Sequence, residues 1–348
     1  MNKVRVSNPR PGGLPGSKAA QAKSKLFMRI LIAFIVLGTL FAQAQVPKPP
    51  WVAGSASGSK NSAAKDDSSP SSAMKVDVKL VNVFVTVTDQ HGAPVGNLRQ
   101  EDFSLLENGV PQKIAVFDKE SAMPLSIVLD IDTSLSTHKD LPLELNSAKR
   151  FAHDILRSQD ALCVYEFSEI VSELIPFTAN LKTIDRGIER VRPGAATALY
   201  DALYLGSQAL ETRQGRKVIV VITDGGDTAS RVDYKEALRA AQEAEALVYS
   251  IIVVPIAASA GRDTGGEHAL IQLSDDTGGK YYYADSLSQL DAAFQKISDE
   301  LRTQYLLAYY PSQKLSDSSF RRIEIKVNST PGLNVRHRSG YYTTKSRF

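Results

Sequence analysis

The chain contains one cysteine, Cys163, so it forms no internal disulfide. Cys163 lies in the apolar run Ala161-Leu162-Cys163-Val164-Tyr165-Glu166-Phe167 with no histidine close by in sequence. That context makes it a small core residue rather than a nucleophile. A body of this size folds without covalent staples. Aromatic residues are few, at 7%, and the single tryptophan is Trp51. There are five histidines; His138 and His268 fall in a loop and at a helix start and read as surface residues. No Ser-His-Asp arrangement, no pair of catalytic carboxylates and no phosphate loop is visible, so no enzymatic activity is expected. Acidic residues are missing from the first 44 positions, which hold seven basic ones: Lys3, Arg5, Arg10, Lys18, Lys23, Lys25 and Arg29. The remainder carries 34 basic and 38 acidic residues, so the overall net charge of +3 belongs to the leader. The body offers no basic surface for nucleic acid.

What the leader does contain reads as an export signal. A basic stretch precedes Ile30-Leu31-Ile32-Ala33-Phe34-Ile35-Val36-Leu37, and Ala42-Gln43-Ala44 fits a small-x-small cleavage site. That apolar core is short of the about 20 residues of a membrane span. Residues 1–44 are therefore expected to be a signal peptide, with Met28 as an alternative start. An uncleaved anchor is the competing reading and the one route to a membrane association. Either way the body lies outside the cytoplasm, in the periplasm, in the cell envelope or secreted. Residues 45–74, rich in Pro, Ser, Ala, Gly and Lys, bury too little apolar surface to order themselves and read as a flexible linker.

Strand-like alternation follows. Val76, Val78 and Leu80 share one parity; Val81, Val83, Val85 and Val87 share the other, which points to a bulge or two short strands. Asp89-Gln90-His91-Gly92 is a turn signal. Strands are expected at Phe103 to Leu106 and Gln112 to Phe117, around the Asn108-Gly109 turn. Residues 75–119 thus form part of a small β-sandwich.

From 125 the pattern alternates between strand and helix, the mark of a mostly parallel sheet covered on both faces. Strands are expected near 125–131, 161–167, 216–223 and 247–254, with 161–167 and 171–177 as an antiparallel hairpin at one edge. Helices are expected at 141–157, 197–212, 233–245, 267–275 and 286–303. Thr197 would start the second of these and aim free N–H groups at a site. After 304 the pattern returns to β, with strand-like runs at 305–310, 322–327 and 334–337. Together with residues 75–119 these close one sandwich, with the α/β domain (120–303) inserted between its halves.

Three separated segments carry the chemistry. Asp132-Thr133-Ser134-Leu135-Ser136 follows an apolar run, Thr223-Asp224-Gly225-Gly226-Asp227 follows another, and Gly194-Ala195-Ala196-Thr197 lies between them. Ligand sites in open α/β sheets form at such strand exits. Ser, Thr and Asp after strands also cap helices and make turns, and any one segment alone reads that way. Two carboxylates and three hydroxyls meeting at one edge suit a small hard divalent cation.

Asp-x-Ser-x-Ser, then Gly-x-x-Thr, then Thr-Asp-Gly resembles the von Willebrand factor type A domain over roughly residues 120–300. The resemblance implies a Rossmann-like doubly wound α/β fold and a metal-ion-dependent adhesion site. Its ligands would be Asp132, Ser134, Ser136, Thr197 and Asp224, holding Mg²⁺ or else Mn²⁺ or Ca²⁺. Leu135 stands where many members of the family have glycine, which leaves the ligands intact and stiffens the loop. The whole layout also resembles exported A-domain proteins of acidobacteria, through Gly92-Ala93-Pro94-Val95, Glu101-Asp102-Phe103, Asn108-Gly109-Val110-Pro111-Gln112 and Thr277-Gly278-Gly279-Lys280-Tyr281-Tyr282. Neutral hydroxyls around the metal would leave it electron-poor, and a carboxylate on a partner protein would fill an open position. Asp130 is expected to support the ligands through loop amides, Asp227 to be a turn residue or a support for the ligands, and Asp201 to be an acid in a helix first turn. Two alternatives compete: a haloacid dehalogenase-like phosphatase using Asp130 and Asp132, and a metal-free structural envelope protein.

Overall fold

The computed structural model describes residues 80–119, 123–135, 141–254, 264–313 and 319–343. The expected signal peptide, the linker with Trp51, the strand residues before 80, Ser136 and His138 lie outside the described residues. Strand β1 (Val81–Thr88) buries Val81, Val83, Val85 and Val87 on one face, as period-2 alternation requires. A 3₁₀ turn (Gln100–Asp102) leads into β2 (Phe103–Glu107), which turns into β3 (Val110–Gln112). Asn108 and Gly109, at φ 49° and 78°, make that two-residue turn, whose left-handed backbone matches strand twist. The strand expected over Gln112 to Phe117 is two strands. β3 pairs with β2, whereas β4 (Ile114–Lys119) belongs to the opposite sheet, so the chain crosses between layers at residue 113.

The α/β body begins with β5 (Leu125–Asp132), buried at every position. It continues through α1 (Leu141–Ile155), β6 (Ala161–Phe167), β7 (Val171–Thr178), α2 (Leu181–Ile188) and α3 (Leu199–Glu211). Then come β8 (Arg216–Thr223), α4 (Tyr234–Ala244), β9 (Leu247–Val253), α5 (Thr264–Thr277), β10 (Tyr281–Ala284) and α6 (Leu287–Arg302). The sheet order is β10-β9-β8-β5-β6-β7, parallel throughout except for β7 at the edge. Strands buried on both faces read as continuous apolar runs. Here Ile127, Leu129 and Ile131 pack under α1, α2 and α6, and Phe151 of α1 stacks on Phe294 of α6 at 4.6 Å. Val128, Ile219 and Val221 pack under α3, α4 and α5, and Cys163 is fully buried there as a core residue.

Beyond α6 the chain returns to β structure after two residues. β11 (Tyr305–Tyr309) lies between β1 and β4; β12 (Phe320–Val327) lies between β2 and β14 (Gly340–Tyr342); and β13 (Asn334–Arg336) flanks β1. Two four-stranded sheets, β13-β1-β11-β4 and β14-β12-β2-β3, share one core of Val83, Val85, Phe103, Leu105, Tyr305, Leu307, Tyr309, Ile323 and Ile325. Strands from before and after the α/β body thus build one sandwich.

Inside it, Glu107 is buried and fully engaged. Its Oε2 accepts hydrogen bonds from the hydroxyls of Tyr309 (2.7 Å) and Tyr341 (2.8 Å), and its Oε1 pairs with Arg321 Nη1 at 2.7 Å. The cluster links β11 of one sheet to β2, β12 and β14 of the other. Breaking a buried pair by removing one partner leaves a charge without its counter-charge and costs about 3–5 kcal/mol. Glu107→Ala is expected to lower the urea unfolding free energy by that amount; a loss below about 1 kcal/mol would show that the cluster does not hold the two sheets together.

Candidate functional site

Strands β5, β6 and β8 end together. Asp132 is the register partner of Phe167, and Ile131 that of Ile222, so the loops that follow emerge side by side at the carboxyl edge. After β5 the chain bends toward β6: Thr133 donates from its amide (2.9 Å) and from Oγ1 (3.2 Å) to the Phe167 carbonyl. Asp132 is wholly buried. Its Oδ1 accepts the Ser134 amide at 2.8 Å, an Asx-type turn, and its Oδ2 accepts the Thr223 hydroxyl at 2.6 Å. Thr223 Oγ1 in turn accepts the Gly225 amide at 3.1 Å, so one carboxylate ties the loop after β5 to the loop after β8. Burial pushes the Asp132 carboxyl up to about 6 and the nearby charge of Asp224 adds to it, against the opposing pull of Thr223 and Ser134.

The third segment is not the start of a helix. α3 begins at Leu199 with Ala198 as its N-cap, so Thr197 lies in the loop just ahead of it. That loop is stitched to both others. Gly194 donates to the Thr133 carbonyl (2.7 Å) and Ala198 to the Ser168 carbonyl (2.6 Å). The Thr197 amide donates to Thr228 Oγ1 (3.0 Å), and its carbonyl accepts from the amides of Thr228 (2.8 Å) and Ala229 (3.0 Å). A Cβ at Gly194 would overlap Ser168, so only glycine lets the backbones approach this closely. Glu169, in the β6–β7 turn, holds the loop from outside by accepting the Ala195 amide at 3.0 Å. That bond first, with Ser168 and Ala196 further down, holds its carboxyl down to about 2. Sequence reasoning missed Glu169, Ser168 and Thr228, because each acts only through loops that the fold brings together.

Two expectations are corrected. The amides at the start of α3 are not free to face a ligand: Tyr200 donates to Asp227 Oδ1 (3.3 Å) and Asp201 to Ser230 Oγ (3.0 Å). Asp227, also bound by the Ser230 hydroxyl at 2.5 Å, holds the turn after β8 against the first turn of α3. Asp130 holds no loop amide. It lies two residues deeper in β5, fully buried, with no hydrogen-bond partner at either oxygen, where α3 passes at Gly206. Burial drives its carboxyl well above the ordinary value, because the charged form finds no solvation there. An acid closed over by α3 has no open approach to a substrate, which speaks against its use as a nucleophile. Asp201 does sit in the first turn of α3, where its Oδ1 accepts the amides of Arg231 (2.9 Å) and Val232 (3.0 Å). His268 is exposed on α5.

Among the described residues no three or more of His, Cys, Asp and Glu gather to hold a metal. The oxygens at this edge are instead two carboxylates, Asp132 and Asp224, beside the hydroxyls of Ser134 and Thr223, with the Thr197 loop against them. Two mutually repelling carboxylates, one of them buried, are an arrangement that a hard divalent cation relieves, and an all-oxygen set is its preferred chemistry.

Residues 127–226 match the von Willebrand factor type A domain family. The matched segment runs from β5 to just past β8 and includes Asp132, Ser134, Thr197 and Asp224. The fold is accordingly A-domain-like, a mostly parallel α/β body carrying additional antiparallel sheets. Similar solved structures include the conserved hypothetical protein BatB from Bacteroides thetaiotaomicron, 22% identical over 51% of this chain and all of that one, with a TM-score of 0.42. A von Willebrand factor type A protein from Catenulispora acidiphila is 12% identical over 75% of this chain and 73% of that one, with a TM-score of 0.46. The PilB minor pilin from Streptococcus sanguinis is 15% identical over 53% and 62%, with a TM-score of 0.41. No curated protein matches the chain.

The Asp130 environment makes a direct prediction. The unfolded chain releases this proton near 3.8, whereas the folded A-type domain keeps it to much higher pH. Its stabilising contribution is therefore complete below about 3.8 and is lost as pH rises toward the folded value. Asp130→Asn is expected to raise the thermal midpoint at pH 7.5 and to leave it nearly unchanged at pH 4, as read by calorimetric scans. A lower midpoint at pH 7.5 would show that the carboxyl is ionised and held by an interaction.

Proposed function

We propose that this chain is an exported, metal-dependent protein-binding module of the adhesion type. The observation that carries this reading is the buried Asp132 carboxylate, fixed by Ser134 and Thr223 beside Asp224 and under the Thr197 loop. Asp132, Ser134, Ser136, Thr197 and Asp224 would hold the cation, with Mg²⁺ the best match to a hydroxyl-rich oxygen set. The cation supplies a positive centre for a carboxylate on a partner protein. The chain's own residues do the rest: Asp132 bridges two loops, Thr223 orients it, and Glu169 keeps the Thr197 loop in register. The Thr223 hydroxyl is spent on holding Asp132 in place, which suits a binding role. The basic leader and apolar core of residues 1–44 support delivery to the periplasm, envelope or exterior, with 45–74 as a tether. No helix among the described residues is long and apolar enough to cross a membrane.

Titration calorimetry with Mg²⁺ and Mn²⁺ tests the reading. One saturable site is expected, lost in Asp132→Ala and weakened at least tenfold in Ser134→Ala. Affinity should also fall as pH drops below about 6, because the cation competes with the proton on Asp132. Absence of saturable binding by the wild type, or binding indifferent to Asp132→Ala, would leave the metal-free structural reading standing.

A further inference from the structure

The loop that carries Asp224 rests against an element that belongs to none of the three site segments. Gly225 sits at φ +99°, in the left-handed region, and its amide donates to Thr223 Oγ1 at 3.1 Å. The first turn of α5 packs on it. A Cβ at Gly266 would overlap the Gly225 carbonyl group. A Cβ at Gly225 would come within 3.1 Å of the Glu267 amide nitrogen and 3.5 Å of Leu270 Cδ1. Two backbones thus meet with no side chain between them, an approach that needs glycine on each side. The contact is stiff on the helix side. Leu270 and Leu273 are buried in the core, and the buried Glu267 accepts the Tyr283 hydroxyl of β10 at 3.1 Å. The far end of α5 is tied down as well, since the Asp276 carbonyl accepts both the Ser339 amide (2.9 Å) and its hydroxyl (3.0 Å). On the loop side the contact leads to the oxygens. Gly225 follows Asp224 directly, and the Thr223 hydroxyl that takes its amide donates to Asp132.

We propose that the first turn of α5 sets where Asp224 and Thr223 stand, through the contact of Gly266 with Gly225, and that Gly266 is a positioning residue for the cation. This rests on the metal-site reading above. A working site holds its groups to within about 0.5 Å. A methyl group at Gly266 cannot be seated without a larger shift of the Gly225 carbonyl or of the helix. Coupling of this kind is reciprocal, so a cation that fixes the loop also fixes the helix turn packed on it.

Titration calorimetry on the full chain with Mg²⁺ alone, below the thermal midpoints of all variants, reads the first half. Gly266→Ala is expected to weaken binding at least about tenfold, the scale of losing a group that holds a metal ligand in place. Gly215→Ala is the control. Gly215 has φ +86°, and its Cβ would overlap the Pro124 carbonyl at the amino end of β8, away from the site. This variant is expected to have a lower thermal midpoint and unchanged Mg²⁺ affinity. Hydrogen exchange on the wild type reads the second half and needs no variant to fold. Saturating Mg²⁺, compared with EDTA, is expected to slow exchange across residues 264–270 at least about fivefold and to leave α2 unchanged. Unchanged affinity in Gly266→Ala, equal losses in both variants, or exchange across 264–270 indifferent to Mg²⁺ would overturn the proposal while the metal reading stands. A wild type without saturable Mg²⁺ binding is the separate outcome that removes both.

Discussion

One buried carboxylate organises the carboxyl edge of the sheet. Asp132 sits where β5 stops, and its two oxygens reach in two directions, to the Ser134 amide and to the Thr223 hydroxyl. The first bond turns the chain out of the strand; the second fastens that turn to the next strand over. Thr133 and Gly194 extend the same stitching to β6 and to the Thr197 loop. A carboxylate so placed is costly to ionise, and its raised proton affinity measures that cost. The site is thus held in shape by ordinary hydrogen bonds while keeping negative charge in a place that water does not reach.

The rest of the molecule keeps this edge still. The parallel strands run in register beneath it, and helices close both faces. The sandwich is fixed to the opposite edge of the sheet, where the helices end and β10 begins. α6 runs into β11 with two residues between them, and Glu300 near its end is buried against Arg336 of β13 (2.6 Å) and the Tyr282 hydroxyl (3.0 Å). Ser339 of the C-terminal segment donates to the Asp276 carbonyl at 2.9 Å. Among the described residues these contacts join the α/β body and the sandwich at the edge opposite the site.

Most of the architecture was legible in the sequence because it is written in periodicity. The charge-poor runs that became β5 and β8, and the odd-numbered valines of β1, specify strands without reference to anything distant. What was missed needs the fold. α2 is only eight residues long and contains Gly187, too short and too weakly helical to stand out. β10 is four residues of aromatic sequence that become a strand by pairing with β9. The crossing at residue 113, which splits one apparent strand into two, is decided by which sheet each half joins. At the site, Asp132, Ser134, Thr197 and Asp224 were singled out through their motif, and the segments that carry them lie on adjoining loops. The isolation of Asp130, the hold of Asp227 on the first turn of α3 and the grip of Glu169 depend on what packs across from them, which no local pattern records.

The central claim is that three loops arranged around Asp132 form a cation site. Anomalous diffraction from crystals grown with Mn²⁺ tests it most directly. The account predicts one anomalous peak, lying between the Asp132–Ser134 segment and Thr197 on the Asp224 side. No peak at that position in well-ordered crystals, or a peak on another part of the surface, would contradict it.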